Sequence, residues 1–219
     1  MKKKIAIIGL GYVGLPLVIE FQKKFAVVGY DISLKRVNEL NKNKDSNNEF
    51  NFKKSNFFKN TKFTNNENLL KDCSYLIVTV PTPIDKNNIP DLSSLKQSCK
   101  TIGKNLKKHA IIIFESTVYP GCTEEVCLPI IEKFSKKKIN KDFFLGYSPE
   151  RIDPGKSKYK LKNTVKVIGA SNKHSLQKLN KIYKKICLST HLTDNIKIAE
   201  AAKVIENTQR DLNIALINE

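Results

Sequence analysis

The sequence lacks long apolar runs and paired cysteine motifs. No apolar run approaches the ~20 residues that a membrane-spanning helix needs. The five cysteines are odd in number and scattered, without a C-x-x-C pair, which is typical of reduced thiols and shows no metal-ligand spacing. The start, Met1 to Lys4, leads directly into a glycine-punctuated segment and does not resemble a signal peptide. We therefore expect a cytoplasmic protein with no metal and no membrane partner.

Arginine is nearly absent, although the chain is strongly basic. The formal net charge is +18, yet only three of the 39 basic Lys and Arg residues are arginine. Arginine is the preferred residue for recognising bases and phosphates. The lysines are spread along the chain, which indicates solvated surface positions. The sequence therefore argues against a nucleic-acid partner in spite of its charge.

The segment from Ile5 to Asp31 carries the most specific pattern. An apolar run meets Gly9, Gly11 and Gly14 in G-x-G-x-x-G spacing, and a second apolar run ends at Asp31. In a dinucleotide-binding βαβ unit these glycines permit the turn, the approach of the pyrophosphate and close packing of the helix. The phosphates then lie at the N-terminus of that helix. The pattern predicts dinucleotide binding; a glycine turn in another kind of βαβ unit is the alternative.

Two residues decide which dinucleotide is expected. Asp31 lies where a carboxylate accepts hydrogen bonds from the adenosine ribose, and it would repel the 2′-phosphate of NADP. Arg36 follows shortly after, and an arginine at that place can accept a 2′-phosphate. Because Asp31 argues against that use, we predict NAD as the cofactor, with Arg36 lying along the adenosine.

Strand-like runs alternate with helix-like stretches along the chain. This order predicts a Rossmann-type, doubly wound α/β fold with a mostly parallel sheet, followed by the start of a long central α-helix. The predicted strands are Ile5–Ile8, Ala26–Tyr30, Tyr75–Val80, Ala110–Phe114, Phe143–Gly146, Val165–Ile168 and Leu188–Leu192. The predicted helices are near Val13–Lys24, Ser33–Asn41, Leu92–Lys107, Thr123–Lys136 and Lys173–Ile186, and a last one begins at about Asn195. Its pattern is still in helical register at the last residue, so we expect the sequence to be the front part of a longer protein.

Polar loops follow the carboxyl ends of the predicted strands, which is where ligands bind in a doubly wound sheet. Pro81 and Thr82 follow one strand, and Ser116 and Thr117 follow the next. A charged, proline-bounded loop at 148–155 follows a third strand and can hold charged groups in fixed positions. Each loop taken alone is also compatible with a plain surface turn.

The last predicted helix carries Lys203 and Asn207 four residues apart, so both side chains share one face. An ammonium group beside an amide can bind an alkoxide or a water molecule. Glu206 and Arg210 form a second pair with the same spacing, which is more typical of a surface salt bridge.

Together these motifs resemble the nucleotide-sugar 6-dehydrogenases of the UDP-glucose/GDP-mannose dehydrogenase family. The resemblance covers 4–219 and rests on GLGYVGLPL, VPTPI, ESTVYPGCTEE, YSPERIDPG and AEAAKVIENTQRDLNIALINE. It is strongest to the UDP-N-acetylglucosamine/galactosamine branch, which serves Vi-type polysaccharide synthesis. The resemblance implies oxidation of the sugar C6 alcohol to a carboxylate with two NAD, in a homodimer formed through the central helix.

The resemblance also implies site residues at matching positions. Glu150, Lys203 and Asn207 would be catalytic: Glu150 and Lys203 as acid–base groups, Lys203 and Asn207 stabilising an oxyanion and positioning a water. The NAD site would comprise Gly9, Leu10, Gly11, Tyr12, Val13, Gly14, Asp31, Arg36, Pro81, Thr82, Ser116 and Thr117. The sugar site would comprise Glu150, Arg151, Ile152, Asp153, Lys203, Asn207 and Arg210.

Two departures from the family pattern limit what the chain alone is expected to do. Pro154 stands where the UDP-glucose enzymes carry a second glutamate, which fits the N-acetyl branch. No cysteine matches the later nucleophile that traps the aldehyde as a thiohemiacetal. We therefore expect an NAD-binding domain at 1–194, the beginning of the central helical dimerisation domain at 195–219, no UDP-binding C-terminal domain, and no complete reaction by this chain.

Three alternatives remain open at this point. One is a UDP-glucose or GDP-mannose 6-dehydrogenase. Another is a 6-phosphogluconate- or 3-hydroxyacid-type dehydrogenase, which also carries lysine and asparagine four apart on the helix after its Rossmann domain; ESTVYPG and SPERIDPG disfavour it. The third is a non-catalytic NAD-binding module.

Overall fold

The computed structural model describes residues 3–47, 57–150 and 161–218, which fold around one eight-stranded sheet. The strands are β1 Lys4–Ile8, β2 Ala26–Tyr30, β3 Thr61–Thr64, β4 Tyr75–Val78, β5 Ile111–Phe114, β6 Phe144–Tyr147, β7 Val165–Ala170 and β8 Ser189–Leu192. Their order in the sheet is β3-β2-β1-β4-β5-β6-β7-β8, and among the pairs that these ranges form only β6 and β7 run antiparallel. The order reverses direction between β1 and β4, which creates the crevice where a doubly wound sheet binds its ligand. The predicted Rossmann-type, mostly parallel α/β fold is confirmed.

Helices cover both faces of this sheet. Three of them begin at a side-chain cap: Ser33 accepts from the Arg36 N–H, Asn172 forms a capping box with Ser175, and Asn195 accepts from the Ile198 N–H. A π-helical turn at Thr123–Cys127 leads into the fourth helix. The helices are α1 Gly14–Phe21, α2 Leu34–Asn41, α3 Ser93–Lys104, α4 Leu128–Ser135, α5 Lys173–Tyr183 and α6 Ile196–Asn218.

The core is divided between the two faces of the sheet because side chains alternate along each strand. On β1, Ile5 and Ile7 pack into one apolar cluster, whereas Ala6 and Ile8 pack into the other. Both clusters are built from fully or nearly fully buried side chains. Strands covered on both faces read as continuous apolar runs, which is why the sequence shows them clearly.

The sequence analysis missed strand β3. Its residues, Thr61–Thr64, are mostly polar, and they pair in parallel with β2 at the end of the strand order. An edge strand needs only one apolar side toward the core, and here Phe63 supplies it at 5% exposure. A four-residue polar strand of this kind gives almost no periodic signal.

Helix α6 packs against the domain only by its first turns. Ile196, Ala199 and Glu200 are buried, whereas every residue from 208 to 218 is exposed. The exposed part includes the large apolar residues Leu212 and Leu216. Within the described ranges, no helix is long and apolar enough to cross a membrane.

Candidate functional site

The glycine motif forms the turn between β1 and α1. Gly9 has φ +93°, a conformation that L side chains rarely adopt. A Cβ on Gly14 would lie 1.8 Å from the Gly9 carbonyl oxygen, so α1 can begin here only with glycine. A Cβ on Gly11 would meet nothing within 4 Å, because that position faces open space in front of the turn. The turn thus leaves an accessible backbone at Gly11 and the start of a helix behind it, as a pyrophosphate site requires.

Asp31 is fixed at the end of β2 by two backbone groups. Its carboxylate accepts from the Leu10 N–H at 2.8 Å through Oδ2 and from the Ser33 N–H at 2.8 Å through Oδ1. Each carboxylate oxygen retains acceptor capacity beyond these bonds. A ribose hydroxyl approaching the glycine turn can therefore donate to an already oriented carboxylate.

Arg36 lies beside this carboxylate on α2. Its Nε donates to the Leu10 carbonyl oxygen at 2.8 Å, and its Nη1 forms an ion pair with Asp45 Oδ1 at 2.8 Å. Glu39 Oε2 lies 3.7 Å from the same Nη1. The guanidinium is therefore held in one orientation against the glycine turn, at Leu10, which also binds Asp31.

A cleft of about 510 Å³ opens between the glycine turn and α3. Its walls are largely apolar, with hydroxyl and amide groups from α3 on one side. Such a mixture suits an adenosine, which needs an apolar slot for the base and polar groups for the ribose. The lining residues are Ile8, Gly9, Tyr30, Asp31, Ile32, Val80, Pro81, Ser93, Ser94, Gln97, Ser98 and Thr101. Of the predicted NAD residues, Gly9, Asp31 and Pro81 line this cleft; the sequence analysis missed the α3 side of it.

The predicted loop hydroxyls connect two neighbouring loops. Thr82 Oγ1 donates to the Thr117 carbonyl at 2.6 Å, and Ser116 Oγ donates to the Val80 carbonyl at 2.6 Å. The protons of these hydroxyls are thus directed to the backbone, and their oxygens keep lone pairs for a ligand. These bonds join the loops after β4 and β5 into one rim beside the cleft.

The remaining predicted NAD residues surround the glycine turn. Leu10 is buried and uses both its N–H and its carbonyl on Asp31 and Arg36. Tyr12 is 52% exposed, and Val13 is partly buried against the core. The structure thus places this group of predicted residues around a single turn.

Lys203 reaches from α6 to the end of β6. Its Nζ donates to the Glu150 carbonyl oxygen at 2.7 Å. Lys166 of β7 donates from its Nζ to the preceding carbonyl, that of Pro149, at 3.2 Å. Two ammonium groups from different elements therefore hold successive carbonyl groups, and they fix the backbone that carries the buried Glu150.

A buried charge network behind this loop was missed by the sequence analysis. Lys166 Nζ lies 2.5 Å from Glu115 Oε2, and the Tyr183 hydroxyl donates to Glu115 Oε1 at 2.5 Å. Burial raises the pKa of Tyr183 well above its ordinary value, and the Glu115 carboxylate raises it further, so the phenol stays protonated and donates. A lysine at the second position of the otherwise apolar strand Val165–Ala170 was the available sequence signal.

Glu200 is a second missed residue. It is fully buried, and its carboxylate accepts from the Gly121 N–H at 2.6 Å and from the Thr123 N–H at 3.0 Å. These bonds dock the start of α6 onto the loop after β5. Lys203 lies three residues further along the same helix, so Glu200 contributes to its placement.

The other predicted sugar-site residues have different positions. Asn207 is partly buried one turn after Lys203, whereas Arg210 is exposed and lies 3.6 Å from Glu206. This pair has the geometry of a surface salt bridge. Arg151, Ile152 and Asp153 lie outside the described residues. In the described part of the chain, no group of three or more His, Cys, Asp or Glu is arranged to hold a metal ion.

Comparison with known proteins gives a consistent result. The sequence pattern of the UDP-glucose/GDP-mannose dehydrogenase family, NAD binding domain, matches residues 3–187. The UDP-N-acetyl-D-glucosamine 6-dehydrogenase of Pseudomonas aeruginosa is 51% identical over 217 residues, which are 99% of this chain and 51% of that protein. The UDP-N-acetyl-D-glucosamine 6-dehydrogenase of Salmonella typhi is 48% identical over the same shares of the two proteins.

Solved structures agree with these sequence matches. The UDP-D-ManNAc dehydrogenase of Pyrococcus horikoshii superposes with a TM-score of 0.89 at 32% identity, over 98% of this chain and 52% of that one. The chain thus spans about half the length of the relatives it matches. The family match agrees with the Rossmann sheet and the glycine turn. We conclude that this chain belongs to the UDP-glucose/GDP-mannose dehydrogenase family and contains its NAD-binding domain.

Proposed function

We propose that this chain carries the NAD site and part of the sugar site of a dehydrogenase that oxidises the C6 alcohol of a UDP-N-acetylhexosamine to the uronic acid. The observation that carries the proposal is the contact between Lys203 Nζ and the Glu150 carbonyl at 2.7 Å. This contact brings the Lys203 ammonium group to the backbone of Glu150, whose side chain is buried, just beyond the carboxyl end of β6. Relatives at 51% and 48% identity are UDP-N-acetyl-D-glucosamine 6-dehydrogenases, which supports this choice of substrate class.

Lys203, Glu150 and Asn207 can each serve a different role in the oxidation of the alcohol. NAD, held by the glycine turn and Asp31, would supply the acceptor for the hydride from C6. In this proposal the ammonium group of Lys203 stabilises negative charge that develops on the sugar oxygen, and the carboxylate of Glu150 takes or returns its proton. Asn207, one helical turn beyond Lys203, supplies an amide that can orient a water molecule. Burial of Glu150 limits competition from solvent.

We also propose that α6 pairs with a second copy in a homodimer. The exposed part of the helix presents Leu212, Leu216 and Ile217 at 66%, 75% and 84% exposure. Exposed apolar side chains on one element favour burial against a partner, and a homodimer through the central helix is what the family resemblance implies. A cytoplasmic location and a role in surface polysaccharide synthesis complete the proposal.

The first test is the affinity of this chain for NAD. Titration calorimetry of the unchanged chain should show binding, and Asp31→Ala should weaken it by about 1–3 kcal/mol, since hydrogen bonds to a charged group are lost. The matched control is Asp72→Asn. Asp72 is an exposed carboxylate just before β4, at the amino ends of the parallel strands, whereas the glycine turn lies at their carboxyl ends. Equal affinities for the unchanged chain and the Asp31 variant contradict the assigned ribose site.

The second test is turnover in a chimera. Residues 1–219 are joined to the remaining half of the Pseudomonas aeruginosa relative, and NADH formation is followed with UDP-N-acetylglucosamine, UDP-glucose, GDP-mannose and a 3-hydroxyacid. We expect the highest kcat/KM with the N-acetylated UDP-sugar. Preference for another nucleotide sugar changes the assigned substrate. NAD binding without turnover, in this chimera and in one made with the Salmonella typhi relative, favours a non-catalytic NAD-binding module.

A further inference from the structure

Arg36 is surrounded by carboxylates although it lies beside the ribose-binding residue. Its Nη1 is 2.8 Å from Asp45 Oδ1 and 3.7 Å from Glu39 Oε2. The Asp45 side chain has no exposed surface, and that of Arg36 is only 11% exposed. An arginine at this place is the group that accommodates the 2′-phosphate in NADP-dependent relatives of the Rossmann fold. The charge around it therefore determines which cofactor the site can accept.

Leu10 connects Arg36 to Asp31. The Leu10 N–H donates to Asp31 Oδ2, and the Leu10 carbonyl accepts from Arg36 Nε, both at 2.8 Å. The guanidinium is thus held by the same residue that orients the ribose-binding carboxylate. Asp45 and Glu39 both lie within 4 Å of the Arg36 guanidinium, so this one cation faces two carboxylates, and the formal charge of the three groups is −1.

We propose that Asp45 is a specificity-determining residue that disfavours NADP by positioning and neutralising Arg36. The proposal rests on the NAD use proposed above and adds a residue to it. A dianionic 2′-phosphate meets an arginine whose charge is already compensated by a buried carboxylate. A neutral ribose hydroxyl does not experience this penalty. Within the described residues, the buried Arg36 Nη2 has no hydrogen-bond acceptor, so a neutral hydroxyl oxygen can satisfy it.

The experiment compares NAD and NADP affinities of this chain by titration calorimetry at low ionic strength. All variants carry Asp31→Asn, so that direct repulsion from Asp31 is removed from the comparison. Adding Asp45→Asn should raise the ratio of NADP affinity to NAD affinity by about tenfold, because one buried charge near the phosphate is lost. Adding Arg36→Ala as a third change should abolish this gain, because the effect is exerted through the guanidinium.

Two further variants make the test specific. Asp72→Asn removes the same formal charge at the amino ends of the parallel strands, away from the glycine turn, and should leave the ratio of NADP affinity to NAD affinity unchanged. Glu39→Gln removes the carboxylate at 3.7 Å and should raise the ratio by less than Asp45→Asn does. Asp45 also accepts from the Asn47 N–H at 3.3 Å, so thermal melting is measured for every variant. Where Asp45→Asn fails to fold, Asp45→Ser takes its place, with the same expected rise and the same dependence on Arg36; an unchanged ratio in that variant overturns the proposal.

The outcomes separate this inference from the proposed function. Failure of the unchanged chain to bind NAD overturns both. NAD binding with an unchanged ratio in Asp31→Asn/Asp45→Asn overturns only the role of Asp45. A rise that persists after Arg36→Ala shows simple charge repulsion and overturns the proposed action through Arg36.

Discussion

Lys166 Nζ and Glu115 Oε2 form an ion pair 2.5 Å apart, and neither side chain has any exposed surface. The pair joins β7 to the end of β5. Lys166 also donates to the Pro149 carbonyl, immediately before Glu150. The buried pair therefore supports both the sheet and the backbone of the proposed acid–base residue.

We predict that Lys166→Met lowers the free energy of unfolding by about 3–5 kcal/mol, because it leaves the Glu115 carboxylate buried without its cation. Urea denaturation of this chain measures the change. The double variant Glu115→Gln/Lys166→Met should recover part of the loss, since no charge then remains buried. Lys138→Met, which breaks an exposed pair with Glu132, is the control and should cost less than about 1 kcal/mol. Equal losses for Lys166→Met and Lys138→Met would contradict the prediction.

The glycine turn gives a second prediction with a built-in control. Gly14→Ala should destabilise the fold, because its Cβ would lie 1.8 Å from the Gly9 carbonyl. Gly11→Ala should fold normally, because its Cβ meets nothing within 4 Å, and yet it should bind NAD far more weakly. Thermal melting and NAD titration of both variants separate the two roles. A stable Gly14→Ala that binds NAD normally would show that the close packing at this turn is not required.

How far the sequence predicted the molecule depended on how local the signal was. The glycine spacing and the acid at the end of β2 lie within one βαβ unit, so the sequence analysis identified them directly. Strand β3 was missed because its polar residues depend on pairing with β2, more than 30 residues earlier in the chain. Lys166 and Glu115 are 51 positions apart, and their contact exists only after β7 joins the sheet.

The same limit applies to the candidate site. The sequence put Lys203 and Asn207 on one helix face, which is a local property. It gave no means of predicting that Glu200 docks that helix onto Gly121 and Thr123, nearly 80 residues away. The sequence analysis assigned Arg36 to the adenosine on the strength of Asp31 alone, and it gave no sign of the ion pair with Asp45, which comes from the turn beyond α2.

A third prediction concerns Lys203 in the chimera that supplies the second half of the protein. Lys203→Met should lower kcat by at least about a hundredfold, because an ammonium group at a developing alkoxide is lost. NAD affinity should be unchanged, since the glycine turn and Asp31 are untouched. NADH formation at saturating NAD and calorimetric titration provide the two readouts. A loss confined to NAD affinity would remove Lys203 from the proposed catalytic set.

The last prediction concerns the pH dependence of the docking of α6. Burial raises the pKa of Glu200, although the N–H groups of Gly121 and Thr123 oppose that shift. The folded state therefore holds this proton more tightly than the unfolded chain, where a glutamate has a pKa of about 4.3. The resulting stabilisation is complete below that value and is lost as the pH rises through the folded-state pKa.

Glu200→Gln removes this titration. The difference measured is the free energy of unfolding of the unchanged chain minus that of the variant, and it should fall as the pH rises. Urea denaturation from about pH 4 to about pH 8 measures it, with a slope of up to about 1.4 kcal/mol per pH unit inside the window. Glu125→Gln, an exposed carboxylate paired with Lys197, is the control and should leave the pH profile in place. A difference that grows with pH would mean that the two N–H groups outweigh burial, and that Glu200 docks α6 as a stable carboxylate.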